Sequence, residues 1–169
     1  MSIIIAFALY AYSVYGDKEI DYIELDRKIS GILNLTQGCV FVLSVHRDGK
    51  SLEFVYPPEF KGNVFPIDGK SIVGRTVVAR RSYISNNVPQ ERGFILLDWL
   101  MNRGGTPIQK EITYPVILAD KVVAVLQITR RGASLSESGP DFRHEDLEKI
   151  KSVLDDFVIP HTVKSAGGE

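Results

Sequence analysis

The arrangement of hydrophobic and polar positions along the chain predicts its helices and strands. Apolar residues recur every three or four positions, as in helices that bury one face, at residues 20–35, 71–81, 94–101 and 142–157. Compact runs rich in β-branched and aromatic residues predict strands at residues 39–45, 52–56, 83–85, 111–118 and 121–128. This order of elements predicts an α+β domain in which helices pack on an antiparallel sheet.

Turn residues predict that four of the strands form two hairpins. Asp48-Gly49 separates the first two strands, and this dipeptide is a strong hairpin signal. Ala119-Asp120 separates the last two strands in the position of a tight turn. Residues 57–66 are rich in proline and glycine and are expected to form a surface loop.

Capping residues indicate where the helices begin and end. We expect Asp17 to cap the first helix and Gly38 to end it in a left-handed conformation. Ser71 is the expected cap of the second helix, and Pro160 marks the end of the last one.

Composition and charge narrow the class of protein. The chain has 169 residues, 44% of them hydrophobic and 24% charged, which predicts one globular domain. The formal net charge is −1 and the basic residues are scattered, so we expect no nucleic-acid partner. The single cysteine, Cys39, and three scattered histidines predict neither a disulfide nor a metal site, and they favour a cytoplasmic location.

Residues 1–16 carry no charge and are strongly apolar. They lack the basic residues that precede the apolar segment of a signal peptide, and they are shorter than a membrane-spanning helix. We therefore predict an interface helix, with attachment to a membrane surface through residues 3–15 as the alternative.

Six short segments, in their order and spacing, resemble a GAF domain. They are GCVFVLSV at 38–45, GKSIVGRTV at 69–77, YISNN at 83–87, YPVI at 114–117, KVVAVL at 121–126 and DFRHEDL at 141–147. Together they span about residues 17–160, which we take as the domain, followed by a flexible tail at 161–169. The chain departs from the family at Ala124, where glycine is common, and in the elaborate 89–107 connection.

The resemblance implies a central antiparallel sheet of about six strands. The N-terminal and C-terminal helices would pack on one face, and a small-molecule pocket would occupy the other. It also implies a homodimer through the terminal helices and a separate output protein. The predicted function is a sensory or regulatory module that binds a small molecule non-covalently, and a dimerisation or interaction module without a ligand is the alternative.

Polar residues expected among apolar ones on the pocket face are the candidate ligand-binding residues. They are Asn86, Asn87, Arg92, Trp99, Tyr114 and Gln127. A buried amide or guanidinium needs a hydrogen-bond partner, which a ligand can supply. In the competing interpretation the asparagines are turn residues, Trp99 and Tyr114 belong to the core, and Gln127 faces water.

The sequence identifies no cofactor and no catalytic residue. Some GAF proteins reduce free methionine sulfoxide with several cysteines, and this chain has only Cys39. A lone thiol has no second cysteine to resolve its oxidised form. We therefore predict that the chain is not an enzyme and keep a redox enzyme of that type as a third, disfavoured hypothesis.

Overall fold

The computed structural model describes residues 20–35, 40–46, 48–91 and 105–158, which form one sheet, three α-helices and two single-turn 3-10 helices, Pro58–Phe60 and Val88–Gln90. In chain order the elements are α1 (Tyr22–Ile32), β1 (Val40–Val45), β2 (Ser51–Tyr56), β3 (Val64–Pro66), α2 (Ile72–Ala79), β4 (Tyr83–Ser85), β5 (Ile108–Leu118), β6 (Lys121–Arg131) and α3 (His144–Val158). No helix in this described part of the chain is long and apolar enough to cross a membrane.

The strands form an antiparallel sheet in the order β3-β2-β1-β6-β5-β4. Both predicted hairpins are present, and β1 pairs with β6, so the two hairpins lie in the same layer. Ala119 and Asp120 both have positive φ, 45° and 64°, as in the tight turns that match the twist of a hairpin. The prediction of an α+β domain with about six antiparallel strands is confirmed.

One strand, β3, lies inside the segment 57–66 that the sequence predicts to be a loop. It has three residues and pairs with β2 at the edge of the sheet. Pro66 is tolerated there because an edge strand does not need every N–H for pairing. So short a strand, ending in proline, has no hydrophobic alternation by which the sequence would reveal it.

The first helix begins later and ends earlier than predicted. Asp21, not Asp17, caps α1, because its Oδ1 accepts a hydrogen bond of 3.0 Å from the backbone N–H of Glu24. Asn34 follows the helix with a φ of 51°, so the left-handed residue that ends α1 comes before Gly38. Asparagine takes this conformation more readily than most residues.

Apolar side chains form a core on each face of the sheet. On the terminal-helix face, where α1 and α3 pack, the core contains Leu25, Ile29, Leu33, Val40, Val42, Ile112, Leu126, Ile128, Phe142, Ile150 and Val153. On the opposite face, which we call the α2 face, it contains Phe41, Leu43, Val45, Leu52, Phe54, Phe65, Ile72, Val73, Val88, Ile108 and Val125. The prediction that helices from both chain ends share one face is confirmed.

A buried carboxylate fixes α1 to the sheet. Asp26, on the inner side of α1, accepts hydrogen bonds of 2.8 Å from the hydroxyls of Tyr56 and Ser30. Burial, together with the hydrogen bond to Asp26, raises the pKa of Tyr56 to about 12. The protonated phenol is therefore part of the folded structure.

Replacing Tyr56 with Phe will lower the unfolding free energy at neutral pH by about 1–3 kcal/mol, because a hydrogen bond to a charged group is lost. The pKa of Tyr56 is higher in the folded than in the unfolded chain, so the protonated phenol stabilises the fold fully below about pH 10. That contribution is lost as the pH rises to about 12. Urea denaturation at several pH values across this range should therefore show that the unfolding free energy falls more steeply with pH for the wild type than for Tyr56→Phe.

Tyr83→Phe is the matched control, because the Tyr83 hydroxyl accepts an exposed bond from Arg81. Its stability should fall with pH as in the wild type. A Tyr56→Phe protein that loses stability as steeply as the wild type would contradict the assignment.

Candidate functional site

Polar side chains replace apolar ones on part of the α2 face. Five of them, contributed by β4, β5 and β6, are buried: Ser85, Glu111, Thr113, Gln127 and Thr129. We call these five residues the polar cluster. Burying this many polar groups is unfavourable unless they are hydrogen-bonded, so their partners decide what the cluster can do.

Strand register brings the polar cluster together. Its cross-strand pairs are Ser85 with Glu111, Glu111 with Thr129, and Thr113 with Gln127. The residues between them along the strands, Ile112 and Ile128, belong to the core of the terminal-helix face, as does Leu126, which precedes Gln127. Alternation along a strand therefore sends the polar side chains to the α2 face.

A hydrogen bond joins the two largest members of the cluster. The Nε2 of Gln127 donates to the Oε2 of Glu111 at 2.9 Å, and Gln127 is 0% exposed. The other amide atom, Oε1 of Gln127, is buried and has no hydrogen-bond partner among the described residues. Leaving a buried acceptor unsatisfied costs about 1–3 kcal/mol. The site therefore contains an acceptor that a bound donor would satisfy.

Helix α2 packs directly over the cluster. Ser71 caps this helix as predicted, accepting a bond of 3.0 Å from the N–H of Gly74. The hydroxyl of Thr76 donates to the carbonyl of Ile72, and its oxygen lies 2.5 Å from that of Thr113. A hydroxyl has one proton, so Thr113 is the donor in this second contact. The pair ties α2 to β5.

An open cleft of about 460 Å³ lies beside the polar cluster, at the edge strand β4. Its lining consists of Ile84, Ser85, Asn86, Asn87, Gln90 and Glu91. Ser85 belongs to both the cleft and the cluster, so the open surface and the buried polar groups adjoin. At the rim, Arg75 and Glu91 form an ion pair of 3.5 Å.

The structure brings some of the predicted ligand-binding residues together. Gln127 belongs to the polar cluster, and Asn86 and Asn87 line the adjoining cleft. Arg92 and Trp99 lie outside the described residues. The competing interpretation that Gln127 faces water is wrong, because its side chain is fully buried. A ligand-binding role for these residues stays a prediction.

Tyr114 lies on the opposite face of the sheet from the cluster. It is half-buried and packs against the core of the terminal-helix face. Burial raises the pKa of its phenol; Lys151 opposes this shift, and the carboxylates of Asp155 and Glu148 add to it. These three residues belong to α3. Tyr114 is therefore not brought together with Asn86, Asn87 and Gln127.

Four members of the cluster were not predicted, although the sequence contains a signal for some of them. Glu111 and Thr113 alternate with apolar residues in β5, as Gln127 and Thr129 do in β6. Such alternation is typical of a strand whose polar side chains face solvent. It becomes informative only once both strands are known to lie inside the sheet with a helix above them.

The cluster and cleft offer a carboxylate, amides and hydroxyls, which suit the hydrogen bonding of a polar small molecule. Among the described residues no group of three histidine, cysteine, aspartate or glutamate side chains could hold a metal ion. Cys39, the candidate redox residue, lies outside the part of the chain that the structure describes.

Comparisons with known proteins agree on the fold. A family model described as a GAF domain matches residues 25–159, which confirms the resemblance inferred from the sequence. A methyl-accepting chemotaxis protein structure of residues 122 to 287 superposes with a TM-score of 0.63 and 15% identity, covering 88% of this chain and 92% of that one. The GAF domain of an Acinetobacter phosphoenolpyruvate-protein phosphotransferase superposes with a TM-score of 0.59 and 14% identity, covering 99% of this chain and 100% of that one. No curated protein sequence matches the chain.

An enzyme shares the same fold. Reduced fRMsr of Staphylococcus aureus, a free methionine sulfoxide reductase, superposes with a TM-score of 0.55 and 21% identity, covering 94% of both chains. This protein has also been solved in complex with its substrate. The prediction from the lone cysteine that the present chain is not an enzyme is therefore wrong, because the same fold occurs in an enzyme. Whether this chain is an enzyme is open.

The bond between Thr76 and Thr113 predicts an energetic coupling between α2 and β5. A double-mutant cycle of Thr76→Val and Thr113→Val should give a coupling energy of about 0.5–3 kcal/mol, as for other residues in contact. Urea denaturation of the four proteins measures it.

The control cycle combines Thr76→Val with Ser44→Ala. Ser44 is buried in β1. Alternation along that strand places it on the terminal-helix face. The effects of these two substitutions should add to within about 0.5 kcal/mol. Additivity in the first cycle as well would contradict the assigned bond.

Proposed function

This chain belongs to the GAF domain family, and from that premise we propose that it is a regulatory domain that binds a small molecule non-covalently. The ligand would occupy the cleft beside β4 and reach the polar cluster. Of the predicted ligand-binding residues, Asn86 and Asn87 line the cleft. Gln127 is buried in the polar cluster, which adjoins the cleft through Ser85. Contacts from Arg92 and Trp99 stay part of the proposal, whereas Tyr114 would act from the opposite face.

The buried amide oxygen of Gln127 is the observation that carries the proposal. It has no partner among the described residues, while the amide nitrogen is bonded to Glu111. A ligand that donates an N–H or O–H to this oxygen would remove the cost of an unsatisfied buried acceptor. We therefore propose a polar ligand with a hydrogen-bond donor at the end that enters the cluster.

A thermal-shift screen tests this proposal. The panel contains free amino acids, methionine sulfoxide among them, with nucleosides and cyclic nucleotides, each at millimolar concentration. A ligand that binds the folded chain raises its Tm by mass action. Gln127→Met removes the acceptor while keeping a similar side-chain volume, so it should abolish the ligand-induced shift.

Ser44→Ala is the control, because it removes a different buried polar group, one on the terminal-helix face. Its ligand-induced shift should match that of the wild type. A panel that leaves the Tm unchanged, or a Gln127→Met protein that keeps the full shift, would count against the proposal. Mass spectrometry of the active compound after incubation would separate binding from turnover.

A homodimer through the terminal helices forms the second part of the proposal. Two apolar residues of α1, Ile23 and Ile32, are exposed on the monomer, which supports an interface there. The predicted interface segment, residues 1–16, lies outside the described residues. We also propose a separate output protein and a cytoplasmic location, which pull-down and cell fractionation would check.

Ile23→Asp should convert the dimer to a monomer, because a charge would be buried at the centre of the proposed contact. Light scattering coupled to size-exclusion chromatography measures the mass. Val78→Asp is the matched control, since Val78 is a similarly exposed residue on α2. A monomeric wild type, or an Ile23→Asp protein that stays dimeric, would refute this interface.

A further inference from the structure

Asn86 joins the cleft to a distant part of the chain. Its side chain lines the cleft, and its amide makes two hydrogen bonds to the backbone of Phe142. The Nδ2 donates to the carbonyl of Phe142 at 3.1 Å, and the N–H of Phe142 donates to the Oδ1 at 2.8 Å. An amide has two N–H donors and two lone pairs on its oxygen, so these bonds use half of its capacity. A cleft residue thus holds one residue of the chain by both of its backbone polar groups.

Phe142 lies two positions before α3 and is itself firmly packed. It is buried in the core of the terminal-helix face. The next residue, Arg143, donates its N–H to the Oδ2 of Asp146 at 2.9 Å, which closes the first turn of α3. A carboxylate in the first turn that accepts from the residue before the helix is half of a capping box. Displacing Phe142 would therefore disturb the start of α3.

Phe142 also contacts the group that completes the end of α1. The centroid of its ring lies 4.7 Å from the guanidinium carbon of Arg130. Arg130 donates to the carbonyl of Leu33 at 3.0 Å and to that of Asn34 at 3.5 Å. These carbonyls lie at the C-terminus of α1, where helix carbonyls lack partners within the helix and a cation is favourable.

The cleft is thus joined to both terminal helices. Asn86 in the cleft is bonded to Phe142, which lies just before α3, and Phe142 contacts Arg130, which is bonded to the end of α1. We infer that Asn86 couples occupancy of the cleft to the packing of both terminal helices. An occupant that displaces the Asn86 amide releases Phe142, and with it the start of α3 and the Arg130 contact at the end of α1. This inference rests on the proposed function, because it supplies the route by which a ligand in the cleft would change the surface that the terminal helices present.

The test places a known occupant in the cleft. In a Cys39→Ser background, Gln90→Cys provides a single thiol on the cleft lining, and monobromobimane attached to it fills the space beside Asn86. Hydrogen exchange followed by mass spectrometry is compared with and without the label. We expect roughly tenfold faster exchange in residues 142–150 and 33–35, since the protecting hydrogen bonds there are opened more often.

Removing the coupling residue should remove the response. In Asn86→Ala the same segments exchange fast without the label, and the label adds no further change. Asn86→Asp keeps the acceptor for the Phe142 N–H and loses the donor, so it should give an intermediate rate. It also provides a folded variant if Asn86→Ala does not fold.

Lys61→Cys carries the control label, because Lys61 is exposed next to β3, at the opposite edge of the sheet. A label at position 61 should leave the hydrogen-exchange rates of residues 142–150 and 33–35 unchanged. Unchanged exchange in the labelled Gln90→Cys protein would overturn the inference, and so would a full response in either Asn86 variant. Because no metabolite is used, this outcome is independent of the thermal-shift screen, which tests ligand binding itself.

Discussion

The pairing of β5 with β6 is the constraint on which the rest of the structure depends. These two eleven-residue strands form a hairpin, with β1 on one side and β4 on the other, so the hairpin lies inside the sheet. α1 and α3 pack on one face and α2 on the other. Since helices cover both faces, every buried polar side chain on these strands needs a partner within the protein or a bound molecule. The hairpin thereby determines where a polar site is built.

The two faces of this hairpin meet that requirement in different ways. On the terminal-helix face the buried cation of Lys110 is bonded to the carbonyl of Gly139 and paired with Asp141 at 2.8 Å. Ile112, Leu126 and Ile128 of the hairpin belong to the apolar core of that face. On the α2 face five polar residues adjoin an open cleft. A well-packed apolar cluster would stabilise the fold as well as a buried polar one. Polar groups in this position therefore need not be there for stability, which agrees with the proposed role in recognition.

Local signals in the sequence account for most of the fold but for little of the site. The turn at Ala119-Asp120 and the cap at Ser71 are set by neighbouring residues, and both were predictable. The cap of α1 was misplaced because Asp17 and Asp21 are residues of the same type, equally suited to capping, and the sequence does not say at which one the helix begins. Burial of Gln127 depends on strand order across the whole sheet, and the bond from Asn86 to Phe142 joins residues 56 positions apart. Neither has a local pattern.

In the proposed function, the two amides of the site have different roles: Gln127 recognises the ligand and Asn86 couples the cleft to the helices. Gln127 lies in the interior, where its nitrogen is bonded to Glu111 and its oxygen has no partner among the described residues, so its position is fixed and its acceptor is available. Asn86 lies at the surface of the cleft, and its bonds run to the backbone before α3. An acceptor on a central strand moves little when it is satisfied, because the sheet holds it on both sides. Under the proposed coupling, movement in response to an occupant is therefore expected just after the edge strand β4, at Asn86, and the helices would respond through that residue.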